Sequence, residues 1–193
     1  MASVDLGSAL SSGVNTFKAN AVNHIIVFLV FVLVVSFSCG LLIGPMFVGY
    51  YKYFAKEESG GKPEIGDLFK GFDHFVPAFV AGIVGFILIA IGNMLCLIPG
   101  LLIAPLLPVA LVLVVRGETD GIQALKKGWT LLKPNLLMAA IAMLVIQIVA
   151  QLGVVACGIG LLVTGPIAMI ANWHLAKQIL GDAGEMTPAA QPA

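Results

Sequence analysis

The chain has 193 residues, 60% hydrophobic and 10% charged, and its ten basic and ten acidic residues cancel to zero. Soluble domains carry roughly 25% charged residues, so a water-soluble fold is excluded and lipid is the expected solvent, as the mean hydropathy of +1.05 agrees. Zero net charge offers no electrostatic footprint for nucleic acid, and no nucleic-acid partner is expected.

All twenty charged residues lie outside three runs, 19–51, 74–115 and 134–176, which are 33, 42 and 43 residues long. A helix needs about 20 residues to cross the hydrocarbon core at 1.5 Å each. The second and third runs therefore hold two crossings apiece with a tight turn. The first is marginal unless its ends extend, which snorkelling by Lys52 and Lys56 allows.

The predicted elements follow in chain order. Residues 1–20 carry Asp5 and one cation, Lys18. They lack the basic region, short apolar core and small-residue site of a cleavable signal, so the first apolar run is expected to stay as an anchor. Within them Leu10, Val14 and Phe17 form a weak amphipathic stripe. Spans follow at 20–39 and 41–56, joined by Gly40-Leu-Leu-Ile-Gly-Pro45. A charged loop leads to a second amphipathic segment, in which Ile65, Leu68, Phe69, Phe72 and Phe75 recur at helical spacing away from Asp67, Lys70 and Asp73. Spans 77–97 and 101–116 flank Gly100-Leu-Leu-Ile-Ala-Pro105. A third amphipathic segment carries Ile122, Leu125, Trp129 and Leu132 opposite Lys126, Lys127 and Lys133, with Asp120 and Gln123 as a capping pair. Spans 135–157 and 161–178 flank Gly160-Leu-Leu-Val-Thr-Gly-Pro166. The tail 181–193, rich in Ala and Pro, is expected to be disordered.

The three Gly-Leu-Leu phrases begin 60 residues apart, the mark of an internal repeat. The match extends upstream, where Ala9-Leu-Ser-Ser-Gly13, Asp67-Leu-Phe-Lys-Gly71 and Ala124-Leu-Lys-Lys-Gly128 superpose. Lys18-Ala-Asn20 matches Lys133-Pro-Asn135, and Ala55-Lys56 matches Ala176-Lys177. The expected architecture is all-α: six transmembrane helices as three tandem hairpins, each preceded by a cytoplasmic interfacial amphipathic helix. The units are about 5–58, 63–117 and 120–180, in one transmembrane domain over 1–180. Pro77 and Pro134 end the amphipathic segments, and Tyr50, Tyr51, Tyr53, Trp129 and Trp173 gather at the same interface.

This arrangement puts every charged segment on one side. Lys52, Lys56, Lys62 and Lys70 share one loop, and Arg116, Lys126, Lys127 and Lys133 another. The positive-inside rule makes that side the cytoplasm, with both termini inside and an inner-membrane location. The bends Gly40/Pro45, Gly100/Pro105 and Gly160/Pro166 fall outside. Small residues four apart, such as Ser36, Gly40 and Gly44, Ala78 and Gly82, and Ala156 and Gly160, let helices touch. Packing is the preferred reading of these glycines over ligand binding.

Candidate intramembrane polar contacts are Asn93, Gln147, Gln151 and Asn172. They line a polar pathway or form interhelical hydrogen bonds, with packing preferred. No Asp, Glu, Lys or Arg lies at the bilayer centre, which counts against ion-coupled transport. His24, His74 and His174 share one level but sit on different units, and no metal or cofactor is expected. Cys39, Cys96 and Cys157 fall near the outer bends, either packed as small apolar residues or with two of them joined in a disulfide. Glu57, Glu58, Glu64, Asp67 and Asp73 read as a solvated, charge-balanced surface. No catalytic motif appears, and no enzyme is expected.

Gly44-Pro45 leading through Gly49-Tyr50, then Pro63 and Asp67-Leu-Phe-Lys-Gly71-Phe72, and Ala124-Leu-Lys-Lys-Gly128-Trp129, resemble uncharacterised bacterial integral membrane proteins. These are the YciC-like proteins and the membrane domain of some glycerophosphodiester phosphodiesterases. The resemblance spans roughly 5–180 and implies a six-helix inner-membrane protein. It transfers no catalytic residue, since the phosphodiesterase chemistry belongs to a separate domain. The first functional expectation is a non-enzymatic accessory, scaffolding or lipid-interacting protein with membrane lipids, and a protein at its cytoplasmic face, as partners. The second is a small transporter or channel for an uncharged or weakly polar solute. The third is a hairpin protein that shapes the bilayer.

Overall fold

The computed structural model describes residues 5–95, 97–155 and 160–181. Every regular element among them is helical: α1 (Leu6–Ala19), α2 (Ala21–Phe37), α3 (Ile43–Glu58), the 3₁₀ helix η1 (Ile65–His74), α4 (Phe75–Leu95), α5 (Leu97–Ile103), α6 (Leu106–Val115), α7 (Gly121–Leu132), α8 (Leu136–Val155) and α9 (Leu161–Leu180). Cys96, Ala156, Cys157 and all but the first residue of the 181–193 tail lie outside the described residues.

Three stretches are long and apolar enough to cross a membrane: Ile65–Leu95, Ile98–Val115 and Gly121–Gln151. The pair α1 and α2, bent by 103°, adds a fourth if counted as one span. The expected spans 41–56 and 161–178 do not reach that mark. The physical reason is visible in their surroundings. α3 buries Gly44 to Tyr51 almost without a break, and α9 buries twelve residues from Gly165 to Leu180. A helix wrapped by protein does not need a lipid-compatible surface, so α3 keeps Lys52 and Lys56, and α9 keeps Asn172, His174 and Lys177.

The helices form two layers. α3, α6 and α9 touch one another at the centre, and Tyr50, Tyr51, Val112, Val114, Ala171 and Leu175 there are fully buried. α2, α4 and α8 lie outside them. α4 buries only small residues, Ala78, Ala81, Gly82, Gly85 and Gly92, while Phe86, Ile87 and Ile91 face out. Small residues allow the closest backbone approach, the main source of cohesion between helices in lipid. Where α3 crosses α4, Cα of Gly44 lies only 2.7 Å from where a Cβ would stand at Gly82.

The short elements dock in a cyclic pattern. η1 packs on α3 and α7 on α6, each on a helix that precedes it, while α1 packs on α9, the last described helix. The matched glycines mark the three contacts. A Cβ at Gly13 would lie 2.9 Å from the Ile167 carbonyl oxygen, one at Gly71 would strike the Pro45 carbonyl oxygen, and one at Gly128 would lie 3.5 Å from the Ala110 nitrogen. Each glycine meets its helix within five residues of Pro166, Pro45 or Pro105.

Between α2 and α3 the backbone enters an unusual region. Cys39 and Gly40 adopt φ of 50° and 81°, the left-handed region that glycine enters freely, and Pro45 lies in the first turn of α3. In the second hairpin the chain turns before Gly100. Gly100 sits inside α5 against Gly92, and Pro105 caps α6. In the third, Gly160 caps α9 and Pro166 lies within it.

The second amphipathic segment is a ten-residue 3₁₀ helix, not an α-helix, and its phase differs from the expected one. Residues three apart eclipse in a 3₁₀ helix. Phe69, Phe72 and Phe75 therefore stack in a column with centroids 6.3 and 6.1 Å apart, and Ile65, Phe69 and Phe75 are exposed. The face toward α3 is Asp67, Leu68 and Gly71. The buried stripe of α1 is Ala9, Gly13 and Phe17. Asp120 caps α7 as expected, its Oδ1 accepting from the Ile122 and Gln123 N–H groups.

Candidate functional site

The polar side chains concentrate where α3 ends. Glu57 and Glu58 are consecutive, so on a helix they point about 100° apart and reach different neighbours. Glu57 turns to α2. Its Oε1 accepts from Asn20 Nδ2 at 3.1 Å, and its Oε2 lies 3.4 Å from His24 Nε2. Glu58 turns to α9. Its Oε2 accepts from Lys177 Nζ at 2.7 Å and from Trp173 Nε1 at 3.2 Å, and its Oε1 lies 3.5 Å from His174 Nδ1.

His24 is fully buried and boxed by Phe17, Tyr53 and Phe54 with ring centroids 5.9–6.1 Å away. Burial pushes the Glu57 carboxyl up, but His24 and Asn20 outweigh it and hold it below the ordinary range. The Tyr51 ring packs on Trp173 at 5.4 Å, so the two carboxylates stand at the rim of an aromatic layer. Two carboxylates from one helix end thus tie three helices together.

A second group surrounds Asp67. Its Oδ2 accepts from Lys56 Nζ and from the Glu64 N–H, both at 2.8 Å, and Oδ1 pairs with Lys70 Nζ at 2.6 Å. Burial raises this carboxyl, but the Glu64 N–H and the two ammonium groups prevail and hold it at about 2. Asp67 occupies the position of Ala9 and Ala124 in the matched segments, both fully buried. A carboxylate at a buried alanine position requires compensating charge, which Lys56 and Lys70 provide. In a third group Glu118, buried, pairs with Lys127.

These contacts correct the reading of a solvated surface for Glu57 and Asp67, while Glu58, Glu64 and Asp73 are exposed. Glu57 and Asp67 have side chains 14% and 5% exposed, whereas Asp73 is 65% exposed. Sequence reasoning passed over Glu57 and Glu58 because depth is a property of the neighbours. The available signal was the adjacent pair at a helix end, facing aromatic and basic residues repeated at Trp173 and Lys177.

The histidines do not converge. His24 meets Glu57, His174 meets Glu58, and His74 stands near Lys52, its basicity lowered by burial and by that ammonium. Among the described residues no group of three or more His, Cys, Asp or Glu side chains forms a metal-binding set. The four amides also stand apart. Asn93 is exposed near the C-terminal end of α4 beside Gly100. Gln147 and Gln151 are exposed on α8. Asn172 alone is buried, on α9, and its Oδ1 has no hydrogen-bond partner among the described residues. Cys39 is an exposed free thiol. It borders an apolar cavity of about 280 Å³ lined by Leu41, Ile43, Ile83, Phe86 and Ile87. Comparisons with protein-family models, curated proteins and solved structures found no match.

Proposed function

We propose that the chain is a six-helix membrane protein of three tandem hairpins in a bacterial inner membrane, related to the YciC-like proteins. It works without an active site, as an accessory or scaffolding subunit that offers its cytoplasmic face to a protein partner. Cyclic docking of the three short elements carries this reading. α1 lies on α9, η1 on α3 and α7 on α6, contacts that support a reading of three joined hairpins with these elements as a cytoplasmic collar.

Two further observations support it. The central helices pack through fully buried side chains such as Tyr50 and Val112, leaving α3, α6 and α9 to serve as a support. Asn93, Gln147 and Gln151 face outward, so they do not favour the alternative of a solute pathway. The phenylalanine column of η1 favours contact with lipid at the interface. A pull-down of the intact chain in mild detergent tests the proposal. A stoichiometric partner of different sequence is expected, and its recovery should fall when Lys62, Lys126 and Lys133 are made glutamate. Recovery of this chain with no other protein would overturn the scaffold reading.

A further inference from the structure

The lipid-facing side of α8 carries two amides with nothing to bond. Leu137, Leu144, Gln147 and Gln151 are spaced seven, three and four, the a and d positions of a heptad, and all are exposed. That spacing is the seam of a two-stranded coiled coil. Gln147 lies one turn before Gln151 on the same side. It stands 11 residues beyond Leu136, the first residue of α8, or about 17 Å along the axis. This depth is close to the middle of a hydrocarbon core about 30 Å thick.

Hydrocarbon supplies no hydrogen bonds, so a primary amide left there keeps the whole cost of its lost hydration. Neither Gln147 nor Gln151 has a side-chain hydrogen bond among the described residues, and every large neighbour on this face is apolar. Whatever covers the face must present donors and acceptors at the same two depths. A second copy does so. Two copies inserted the same way are related by a twofold axis along the membrane normal. That axis sets the two α8 helices parallel, with Gln147 opposite Gln147 and Gln151 opposite Gln151. A primary amide is self-complementary, since it both donates and accepts.

We infer that α8 is the interface of a parallel homodimer, sealed by the Gln147 and Gln151 amide pairs within the Leu137–Gln151 seam. The inference rests on the proposed reading of α8 as a membrane span.

The test uses the full chain in liposomes, with donor- and acceptor-labelled copies mixed over a range of protein-to-lipid ratios. Wild type should show energy transfer that saturates at a dimer. Replacing both Gln147→Leu and Gln151→Leu should raise the dissociation constant about tenfold, the effect of two interhelical amide pairs. Helix content should not change, because both side chains face outward. In a chain whose native cysteines are alanine, Leu144→Cys and Gln151→Cys should cross-link on oxidation. Met138→Cys, exposed on the flank away from the seam, should not. Monomers at every ratio, equal association of the double variant, or cross-linking at residue 138 as strong as at 151 would overturn the dimer. A Gln147→Cys chain labelled by a water-soluble maleimide as a monomer would instead overturn the span, and the inference with it.

Discussion

The Nε2 atom of His24 lies 3.4 Å from the Oε2 atom of Glu57, with the imidazole fully buried and the carboxylate at the edge of the protein. The pair joins the start of α2 to the end of α3, two helices that otherwise touch little. Glu57→Ala would strip His24 of this neighbour and Asn20 of its acceptor, and should cost about 1–3 kcal/mol. Glu57→Gln keeps an acceptor for Asn20 and should cost less. Thermal unfolding in a mild detergent reads the order; equal losses would remove hydrogen bonding as the reason.

Asp67 makes stability depend on acid. Its carboxyl is held at about 2 in the folded chain, below the ordinary value of about 3.9. A carboxyl lowered by folding contributes stability above its unfolded value and loses it as pH falls through the folded one. The loss should therefore fall between about pH 4 and pH 2. It should be about 1–2 kcal/mol, discounted because Lys56 and Lys70 are partly solvated. Asp67→Asn should flatten that part of the unfolding profile, and an unchanged profile would refute the assignment.

The cyclic contacts predict a ranking. A Cβ at Gly71 meets the backbone of α3, including the Gly49 nitrogen at 2.5 Å. At Gly13 the nearest atom is the Ile167 carbonyl oxygen at 2.9 Å, and at Gly128 the Leu106 Cδ1 at 3.3 Å. Backbone cannot yield as a side-chain tip can. Gly71→Ala should thus cost the most, about 3 kcal/mol, Gly13→Ala about 1–2, and Gly128→Ala under about 1. Measured stabilities in any other order would contradict this packing.

Cys39 tests the topology. It is exposed at the first bend, so with Cys96 and Cys157 made alanine an impermeant thiol reagent should label it on intact cells. With all three native cysteines made alanine, Lys62→Cys, exposed in the loop between α3 and η1, should react only after permeabilisation. Labelling of both positions from one side would exclude the proposed first hairpin.

Part of this could be read in advance. Gly13, Gly71 and Gly128 stand out in the sequence by their spacing, and each sits where two elements pack, while the apolar runs mark helices long and apolar enough to cross a membrane. Other features depend on what a residue faces. The 3₁₀ phase of η1 could not be read from Ile65, Leu68 and Phe69, because α and 3₁₀ spacing share the i, i+3 step. Burial of Asp67 follows from the docking of η1 against Lys56, and that of His24 from α2 crossing the aromatic end of α3. The amides were legible as polar residues in spans. That Gln147 and Gln151 point outward while Asn172 points inward depends on which helices end up in the centre.

Gln178, near the end of α9, accepts from the Asp5 N–H at 2.8 Å and donates to the Asp5 carbonyl at 3.0 Å, across 173 residues of chain. α1 is therefore made well before α9, the helix on which it has its seat. Until α9 is made, the stripe around Gly13 lacks the helix it packs on. Each nascent chain carries an uncovered patch until α9 emerges, at about 5–20 residues per second. Docking of α1 then waits on α9. A chain cut short anywhere before α9 would display that stripe permanently, giving membrane proteases a physical mark that distinguishes unfinished copies from complete ones.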